Sequence, residues 1–464
     1  MEPVDGKKCQ DKVVDADEGQ IEGTDHGFGW FLITVTLLFG ALILTIALAS
    51  RSTVAEYLAG YTVATALWIA AARRAPRRLP LPSLLIIVAA LRILPLFFVP
   101  QLSGDVYRYL WDGHVAANGI NPYALPPSDP SLQFLHQPWH QKINHPEIRS
   151  IYPPAAQILF LFVAWTGGGL TVWRLLLLGA DLLTVRLLWK NGGVRPACWY
   201  ALCPLVIFEG FWSAHIEIAA ACLLVAAWQG MKTSENSAAL LLALASSVKV
   251  IPVVALPGFL ARATRPLRFL FTFCAALLIT ALPFLFSGPF MPGLSDYATR
   301  WIFNSPIYAL FLKIITGLAL DVRAKMFWTS IKDSLGLEAI SPFVYRHLYA
   351  DFITRVCLAV FCIFLIALAL RVSSSTASAI ANSIGALLLC SPAIHPWYWL
   401  ALLPFAFLER MILWIAIAVA SSVSYLLYEP AVRKGWIYLV CYGIPIGFAA
   451  AHQLITRRTQ ATRI

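Results

Sequence analysis

The stretch "RRAPRRLPLPSLLIIVAALRILPLFFVPQLSGDVYRYLWDGH", residues 73–114, combines three features that together predict the fold. It begins with a cluster of four arginines and ends in a loop rich in charges and aromatic rings. Between them lies an apolar run long enough to cross about 30 Å of hydrocarbon. The positive-inside rule places the arginine cluster in the cytoplasm. The loop that follows is therefore predicted on the opposite, non-cytoplasmic side of a membrane.

The composition of the whole chain also indicates a membrane location. Of its 464 residues, 59% are hydrophobic and only 13% are charged, against about 25% charged in ordinary soluble domains. Apolar runs recur from Trp30 to His452 and leave no room for a sizeable soluble domain. We therefore predict an all-α, polytopic membrane protein whose bundle has about 11–14 transmembrane helices.

The same charge rule orders the rest of the chain. Basic residues at the short connections fall in the cytoplasm if both termini lie there. Two long loops, 101–169 and 288–350, then lie on the non-cytoplasmic side. Their apolar segments 155–165 and 305–320 are too short for a comfortable span, so we expect them to be interfacial helices.

The predicted spans follow from this arrangement. They are 30–49, 54–72, 81–100, 170–189, 196–210, 215–230, 268–286, 352–371, 377–392, 396–408, 411–428 and 435–452, with a short helical pair at 238–250 and 251–261. Alternatively, both interfacial segments cross the bilayer. The number of spans would stay even and both termini would stay in the cytoplasm, but Lys190 and Arg195 would move outside.

The two ends of the chain differ from the predicted transmembrane domain, 28–452. Residues 1–27 are polar and mostly acidic and lack the apolar core of a signal peptide, so we predict a disordered cytoplasmic tail. Residues 453–464 are predicted to form a basic cytoplasmic tail. Neither long loop contains a cysteine, so we expect no structural disulfide and no cysteine-based metal site.

The charge and the motifs exclude several classes of function. The formal charge of +11 comes mainly from short connections, and no basic stripe with interleaved aromatics indicates nucleic-acid binding. The sequence has no Gly-rich phosphate loop, HExxH or GxSxG motif. Nucleotide hydrolysis, zinc proteolysis and esterase chemistry therefore have no support.

Polar side chains gather on the predicted non-cytoplasmic side. An ionisable group at membrane depth costs about 2.5–3.5 kcal/mol, so it usually faces a partner or a wet cavity. Several such groups from separate spans imply one shared cavity. The candidates are Asp105, Arg108, Asp112, His114, Asn121, His145, Glu147, Tyr152, Glu209, His215, Glu217, Lys249, Asp296, Arg300, Asn304, His395 and Trp397.

Each candidate has a structural interpretation beside the functional one. The cationic side chains could snorkel or form ion pairs, and the histidines could be packing residues. Asp112, within one helical turn of Arg108, is expected to hold the loop in shape. Asp105 differs because it stands at the mouth of a span after a glycine, and we predict a functional role for it.

The candidate residues suit one kind of chemistry better than others. A carboxylate at the boundary of water and membrane can act as a general base toward a hydroxyl group. Nearby cations would stabilise a phosphate leaving group, and rings such as Tyr152 and Trp397 would pack on a sugar. These features fit glycosyl transfer from a lipid-phosphate sugar, although their spacing alone does not single out that reaction. A hydrolase with paired carboxylates fits less well in a setting that favours a membrane-borne substrate.

An ordered set of short motifs carries a resemblance to a known family. The motifs are "GDVYRYLWDG" followed by "GINPY", then "HPEIRSIYPP", "CPLVIFEGFWSAHIE", "SSVKVIPVVALP", "SDYATRWIFNSP" and "SPAIHPWYWLALLPF". The chain resembles the integral-membrane glycosyltransferases of the GT-C superfamily. Within it, the chain is most similar to the polyprenol-phosphate-mannose-dependent mannosyltransferases of glycosyltransferase family 87 (GT87). The resemblance covers about residues 80–430, which leaves 28–79 as an additional N-terminal helix pair.

The resemblance implies an inverting, metal-independent enzyme without a cofactor. Its donor would be a polyprenyl-phosphate sugar, most simply mannose, and its acceptor a glycolipid or glycan on the periplasmic or extracellular face of a bacterial plasma membrane. Asp105 matches the catalytic base, and His395 matches a histidine that binds or protonates near the donor phosphate. The predicted substrate-binding residues are Arg108, Tyr152, His215, Glu217, Lys249, Arg300, Asn304 and Trp397. Lys249 and Arg300 match phosphate contacts, and Glu217 stands where relatives carry Asp.

The alternative is a transporter or flippase of lipid-linked saccharides. Internal repeats and helices broken at mid-membrane are typical of transporters. The two halves of this sequence show no similarity to each other, and the polar residues lie at one face of the membrane, which favours the enzyme.

Overall fold

The computed structural model describes residues 22–49, 54–286 and 288–461. Over these ranges the chain is helical and contains no strand. The α-helices are α1 (Glu22–Ala49), α2 (Val54–Arg74), α3 (Leu81–Ile93), α4 (Asp105–Ala117), α5 (Pro154–Trp165), α6 (Gly169–Gly192), α7 (Val194–Ala201), α8 (Pro204–Ile207), α9 (Glu217–Gly230), α10 (Glu235–Val248), α11 (Leu256–Leu260), α12 (Pro266–Leu285), α13 (Pro292–Arg300), α14 (Pro306–Gly317), α15 (Leu320–Ile331), α16 (Ser341–His347), α17 (Ala350–Val372), α18 (Thr376–Cys390), α19 (Leu403–Leu408), α20 (Ile412–Ala420), α21 (Lys434–Tyr438) and α22 (Ile444–Ala461).

The helices confirm the prediction of an all-α, polytopic membrane protein. Among the described residues, five helical segments are long and apolar enough to cross a membrane: Gly27–Ala49, Val54–Arg74, Pro266–Leu285, Ala350–Val372 and Lys434–Thr456. The bent pair Pro204–Trp212 and Glu217–Gly230 makes a sixth if it is one span, and further apolar helices are shorter. Residues 1–21 of the predicted N-terminal tail and 462–464 of the predicted C-terminal tail lie outside the described residues. The described parts of both tails are helical instead: 22–27 begin α1, and 453–461 end α22.

The predicted spans 196–210 and 215–230 differ most from the structure. After α7 and α8 the chain forms one wide helical turn, Phe208–Trp212, and then bends by 119° before α9. Pro204 lacks the amide hydrogen that a continuous helix would need, and Ala214 adopts a left-handed backbone with φ of 60° at the bend. The bend allows Glu209 and His215 to be buried inside the protein.

Other predicted spans also consist of two pieces. The run 81–100 contains α3 and a tighter helical turn, Leu94–Phe97, and 396–408 contains a tight turn, Pro396–Ala401, followed by α19. Pro95 and Pro404 stand near these junctions, where proline removes a helical hydrogen bond. At these junctions the regular helical hydrogen bonds are interrupted, so the backbone groups that are freed need partners from neighbouring segments.

The N-terminal helix α2 packs on the core through aromatic residues and hydrogen bonds. The ring of Tyr57 contacts Phe208 edge-on at 5.5 Å. The Tyr61 hydroxyl donates to the Val419 carbonyl at 3.0 Å, and the Trp68 indole donates to the Trp199 carbonyl at 2.9 Å. Because lipid is as apolar as a leucine side chain, such packing and polar contacts drive helix association in a membrane.

A buried ion pair joins α3 to α6. Arg92 Nε lies 3.0 Å from Asp181 Oδ2, and both side chains are fully buried. The Tyr200 hydroxyl donates to the other Asp181 oxygen at 2.7 Å, and Arg92 also donates to the Ala201 carbonyl at 2.5 Å. The pair therefore holds the end of α7 as well.

A second buried arginine satisfies the backbone where α3 ends. Arg174 on α6 donates to the carbonyls of Pro95, Phe98 and Trp212 at 2.6–3.0 Å. These bonds connect the end of the third predicted span, 81–100, to the bend before α9. They position the loop that leads to α4, where Asp105 stands.

We expect Asp181→Asn to destabilise the protein strongly. The substitution leaves the Arg92 charge buried without a counter-ion, which costs about 3 kcal/mol or more. Thermal unfolding of the purified protein in detergent measures the loss. The matched control is Asp333→Asn, since Asp333 pairs with Lys332 at an exposed site, where an ion pair contributes less than about 1 kcal/mol. Equal, small shifts for both variants would contradict the structural role of the buried pair.

Candidate active site

A cavity of about 130 Å³ lies where the two long loops meet the ends of several helices. Its walls carry a carboxylate, several cations and a group of aromatic rings. The lining residues are Leu102, Ser103, Asp105, Arg108, Asn144, His145, Ile148, Arg149, Ile151, Tyr152, Lys249, Tyr297, Trp301, His395, Trp397, Tyr398 and Tyr428.

Asp105 is the first residue of α4, where the helix dipole stabilises negative charge. Its carboxylate accepts a hydrogen bond from the Asn144 amide at 3.2 Å and has a long contact with the Tyr152 hydroxyl at 3.5 Å. Its side chain is 21% exposed. Gly104 makes this geometry possible, because a Cβ there would lie 2.4 Å from the Asn144 side-chain oxygen.

Tyr152 lies between the carboxylate and a cation. Burial and the nearby Asp105 raise the pKa of Tyr152 well above its usual value, so its hydroxyl keeps the proton that it can donate. The ammonium group of Lys249 lies over the Tyr152 ring, 5.2 Å from its centre, and at 5.3 Å over the ring of Tyr398. Tyr152 therefore contacts an acidic group through its hydroxyl and a cationic group through the face of its ring.

A buried carboxylate holds Lys249 in place. Lys249 follows the last residue of α10, and its Nζ lies 2.8 Å from Glu217 Oε1 at the start of α9. Glu217 is fully buried, whereas the Lys249 side chain is 14% exposed. The ion pair thus holds the ammonium group of Lys249 at the cavity wall, while the carboxylate of Glu217 stays buried behind it.

His215 lies under the cavity next to the catalytic candidate. Its Nδ1 is 3.9 Å from Asp105 Oδ2, and its Nε2 is 3.5 Å from Glu209 Oε2. Glu209 accepts hydrogen bonds from the Tyr425 hydroxyl at 2.9 and 3.0 Å. The bend before α9 therefore supplies a buried row of polar groups that supports Asp105 from below.

Five rings form a continuous stack along one wall. In order they are Tyr428, Phe303, His395, Trp397 and His215, with ring centres 5.2, 4.4, 4.4 and 4.1 Å apart. The backbone of Phe303 bonds to Pro392 and Ile394, which ties the second loop to the segment that carries His395. The stack fixes the orientation of both histidines.

His395 is neutral at neutral pH in this arrangement. It lies in the turn after α18, outside the candidate membrane spans. Burial, followed by the nearby charge of Lys249, lowers the pKa of His395 to about 3. A neutral imidazole can donate one hydrogen bond, but it does not carry the positive charge of an imidazolium.

Two of the three guanidinium nitrogens of Arg108 make structural contacts, whereas Nη2 has no hydrogen-bond partner among the described residues. The guanidinium donates to Asp112 Oδ1 and to the Ile148 carbonyl, both at 2.8 Å. The second Asp112 oxygen accepts from Ser150 and from Gln157. Asp112 therefore joins α4, the first loop and α5, and Arg108 reaches the cavity as part of that network.

The structure brings six of the predicted site residues to the cavity wall and two directly beneath it. Asp105, Arg108, Tyr152, Lys249, His395 and Trp397 line the cavity, and His215 and Glu217 lie under it. Arg300 does not line it: it is exposed at the end of α13 and pairs with Asp296 at 3.4 Å. Asn304 is buried away from the cavity, and its carbonyl accepts from Tyr442.

Sequence reasoning missed several lining residues, above all Arg149. This arginine stands in the motif "HPEIRSIYPP", three residues before Tyr152. Among the described residues its guanidinium has no hydrogen-bond or ion-pair partner. Asn144, Tyr297, Trp301, Tyr398 and Tyr428 were also missed. The motif is the one signal that could have identified Arg149.

The arrangement can activate a hydroxyl group and stabilise an anion. Asp105 offers a partly exposed carboxylate, and Lys249 and Arg149 offer cationic groups in the same cavity. The rings around them offer flat apolar faces. Within the part of the chain that the structure describes, no three His, Cys, Asp or Glu side chains are grouped as metal ligands.

Comparison with known proteins identifies the family. The family model described as "Alpha-(1->6)-mannopyranosyltransferase, N-terminal domain" matches residues 25–265, a range that includes α2 and nearly all of α1. The model of glycosyltransferase family 87 matches residues 151–392. Searches of curated proteins and of solved structures each gave no match. Because each family match spans more than half of the chain, the protein belongs to the GT87-type mannosyltransferases and is a membrane glycosyltransferase.

Proposed function

We propose that the cavity transfers mannose from a polyprenyl-phosphate donor to a hydroxyl group of a glycolipid or glycan acceptor. The observation that carries this proposal is that Asp105 contacts the hydroxyl of Tyr152 and Lys249 lies over its ring, so one cavity holds a carboxylate and a cation. A glycosyl transfer needs a base for the incoming hydroxyl and positive charge for the departing phosphate. The resemblance and the charge pattern support a site on the non-cytoplasmic face of a bacterial plasma membrane.

In the proposed reaction Asp105 takes the proton of the acceptor hydroxyl. The acceptor oxygen forms the new bond to the anomeric carbon of the sugar as the bond from that carbon to the phosphate oxygen breaks. The phosphate keeps the electron pair and leaves as polyprenyl phosphate. Attack opposite the leaving group inverts the anomeric carbon, so a single carboxylate is sufficient and no covalent intermediate is formed.

Two cationic residues are proposed to bind the donor phosphate. Arg149 is the better placed for direct contact, because its fork of donors is free of partners in the described residues and suits phosphate oxygens. Lys249 adds a point charge that Glu217 orients. His395, neutral because its pKa is lowered to about 3, would donate one hydrogen bond. A neutral His395 therefore fits a role in binding the donor phosphate better than a role in protonating it.

The aromatic wall is proposed to hold the sugar ring. Trp397 and Tyr398 follow His395 directly, and Tyr297 and Trp301 face them from α13 and its end. The hydroxyls of Tyr297 and Tyr398 are hydrogen-bonded to each other, which joins the two sides of the wall. Flat rings with fixed orientation can pack on the apolar face of a hexose while leaving its hydroxyls free.

A transporter is less well supported than an enzyme. A transport path would need polar groups that continue through the membrane, with half-helices meeting at its midplane. Beneath the cavity the row of His215, Glu209 and Tyr425 is fully buried and closed by mutual contacts. The cavity therefore ends at a packed floor, which favours chemistry at one face.

We expect Asp105→Asn to reduce mannose transfer by at least about 100-fold, because a general base commonly contributes 10²–10⁴-fold. The assay follows labelled mannose from polyprenyl-phosphate mannose into the acceptor. The matched control is Asp129→Asn, a partly exposed aspartate of the same loop that does not line the cavity, which should keep full activity. Wild-type turnover by correctly folded Asp105→Asn protein would refute the assignment.

Arg149→Gln should raise the donor KM about tenfold or more, since a charge-assisted contact contributes roughly 1.5–3 kcal/mol. Arg300→Gln is the discriminating control, because the sequence predicts Arg300 as a phosphate contact while the structure places it outside the cavity lining. Steady-state kinetics with varied donor measure both. A larger effect at Arg300 than at Arg149 would contradict the proposed phosphate site.

Removal of divalent metals should leave transfer unchanged. In the proposed mechanism Arg149 and Lys249 supply the positive charge that a metal ion would give to a leaving phosphate. Transfer rates are compared before and after EDTA treatment of purified protein in metal-free buffer. If EDTA inhibited transfer and added Mg²⁺ or Mn²⁺ restored it, the metal-independent mechanism would be contradicted. The role of Asp105 would still be decided by the Asp105→Asn assay.

A further inference from the structure

A second cavity, of about 710 Å³, lies apart from the 130 Å³ cavity that contains Asp105, the reaction cavity. The two cavities lie at opposite ends of shared helical segments. The chain shows the relation directly. It leaves the reaction cavity at Tyr398, passes through α19 and reaches the second cavity at Arg410. It then returns through α20 and the tight turns 421–428 to Tyr428, which lines the reaction cavity again. The two cavities are therefore separate sites at the two ends of shared segments.

Three helices give the second cavity its depth. It is lined from Thr65 to Arg73 on α2, from Ile412 to Ala420 along α20, and from Ile444 to His452 on α22. Each stretch rises about 12 Å at 1.5 Å per residue. This is close to the roughly 15 Å of hydrocarbon in one leaflet. The cavity is thus a groove along the helices, with the dimensions of a lipid chain.

One end of the groove is basic and the remainder is apolar. Arg73, Arg195 and Arg410 line the basic end, all three are exposed, and the lining contains no acidic side chain. Within the described ranges none of the three guanidinium groups has a hydrogen-bond or ion-pair partner. By contrast, the neighbouring Arg74 donates to the Ala70 carbonyl and does not line the groove. The groove therefore offers three free cations above an apolar channel.

The walls near the basic end carry tryptophans. Trp68 on α2 and Trp199 on α7 line the groove and contact each other edge-on, with ring centres 5.1 Å apart. Tryptophan is enriched at the level of lipid headgroups. The same two residues share the hydrogen bond that holds α2 on the core. An occupant of the groove would therefore also contact the junction between the N-terminal helices and the core.

We propose that this groove binds a diacyl phospholipid with an anionic headgroup. The phosphate lies against Arg73, Arg195 and Arg410, and an acyl chain follows the apolar walls between α2, α20 and α22. Basic pockets between membrane helices bind anionic headgroups by this combination of charge and apolar contact. A zwitterionic headgroup is disfavoured, because it would bring its own ammonium group to the three arginines. The bound lipid stabilises the packing of α2 against the core.

The test compares lipid binding by wild-type protein and an Arg73→Gln/Arg195→Gln/Arg410→Gln variant. Native mass spectrometry of the purified full chain measures retention of phosphatidylglycerol and of phosphatidylcholine, each added at equal concentration. Wild type should retain the anionic lipid at least about tenfold better, and the variant should lose that preference. The control Arg74→Gln/Arg77→Gln/Arg78→Gln removes the same charge outside the groove lining and should keep it.

Two further measurements distinguish a phospholipid site from a simple phosphate site and from a general effect of positive charge. Ala416→Phe fills the apolar wall while keeping the arginines, and it should also weaken retention of phosphatidylglycerol. Thermal unfolding should show stabilisation of the wild type by phosphatidylglycerol but not by the same concentration of inorganic phosphate.

Equal retention of both lipids by wild type, equal loss in the Arg74/Arg77/Arg78 control, or equal stabilisation by inorganic phosphate would overturn the proposal. Arg149→Gln should bind the lipid normally, which separates this site from the reaction cavity.

Discussion

The ion pair between Glu217 and Lys249 is the contact on which the reaction cavity depends. A carboxylate cannot face hydrocarbon without a partner, and Lys249 is the partner that the end of α10 supplies. Because Glu217 opens α9 directly after the bend, the pair also fixes the position of His215 below Asp105. The bend therefore buries Glu217 inside the protein, where it pairs with Lys249, so both charges can exist in a membrane protein.

The cationic residues near the cavity divide into structural and available groups. Arg108 binds Asp112 and a backbone carbonyl through two of its nitrogens, and Arg174 binds two carbonyls where α3 ends and a third at the bend before α9. Lys249 is oriented by its counter-ion, and Arg149 has no partner among the described residues. Burial and partner number, rather than charge alone, distinguish an arginine that maintains the fold from one that can meet a phosphate.

The same helices serve both ends of the molecule. The segment from Trp397 through α19 leads from the aromatic wall of the proposed reaction cavity to the arginines of the proposed lipid groove, and α20 leads back. The family matches show a glycosyltransferase, and the first end is the proposed site of the transfer. The groove at the second end requires α2, because α2 forms one of its walls. The N-terminal helices thus have a physical role beside their place in the bundle.

The sequence by itself determined the membrane class, the all-helical fold and the family, because hydropathy, charge bias and motif order are local properties of the chain. It also singled out Asp105 as the candidate base, which stays a prediction. Only the tertiary structure decided which polar residues meet. Arg300 and Arg149 look alike as isolated cations in two long loops, yet Arg300 is exposed at the end of α13, and the loop before Tyr152 brings Arg149 to the cavity. The breaks at Pro204 and Ala214 were likewise hidden, since an apolar run does not reveal where its helix bends. Such choices depend on contacts between residues far apart in sequence, which no local pattern records.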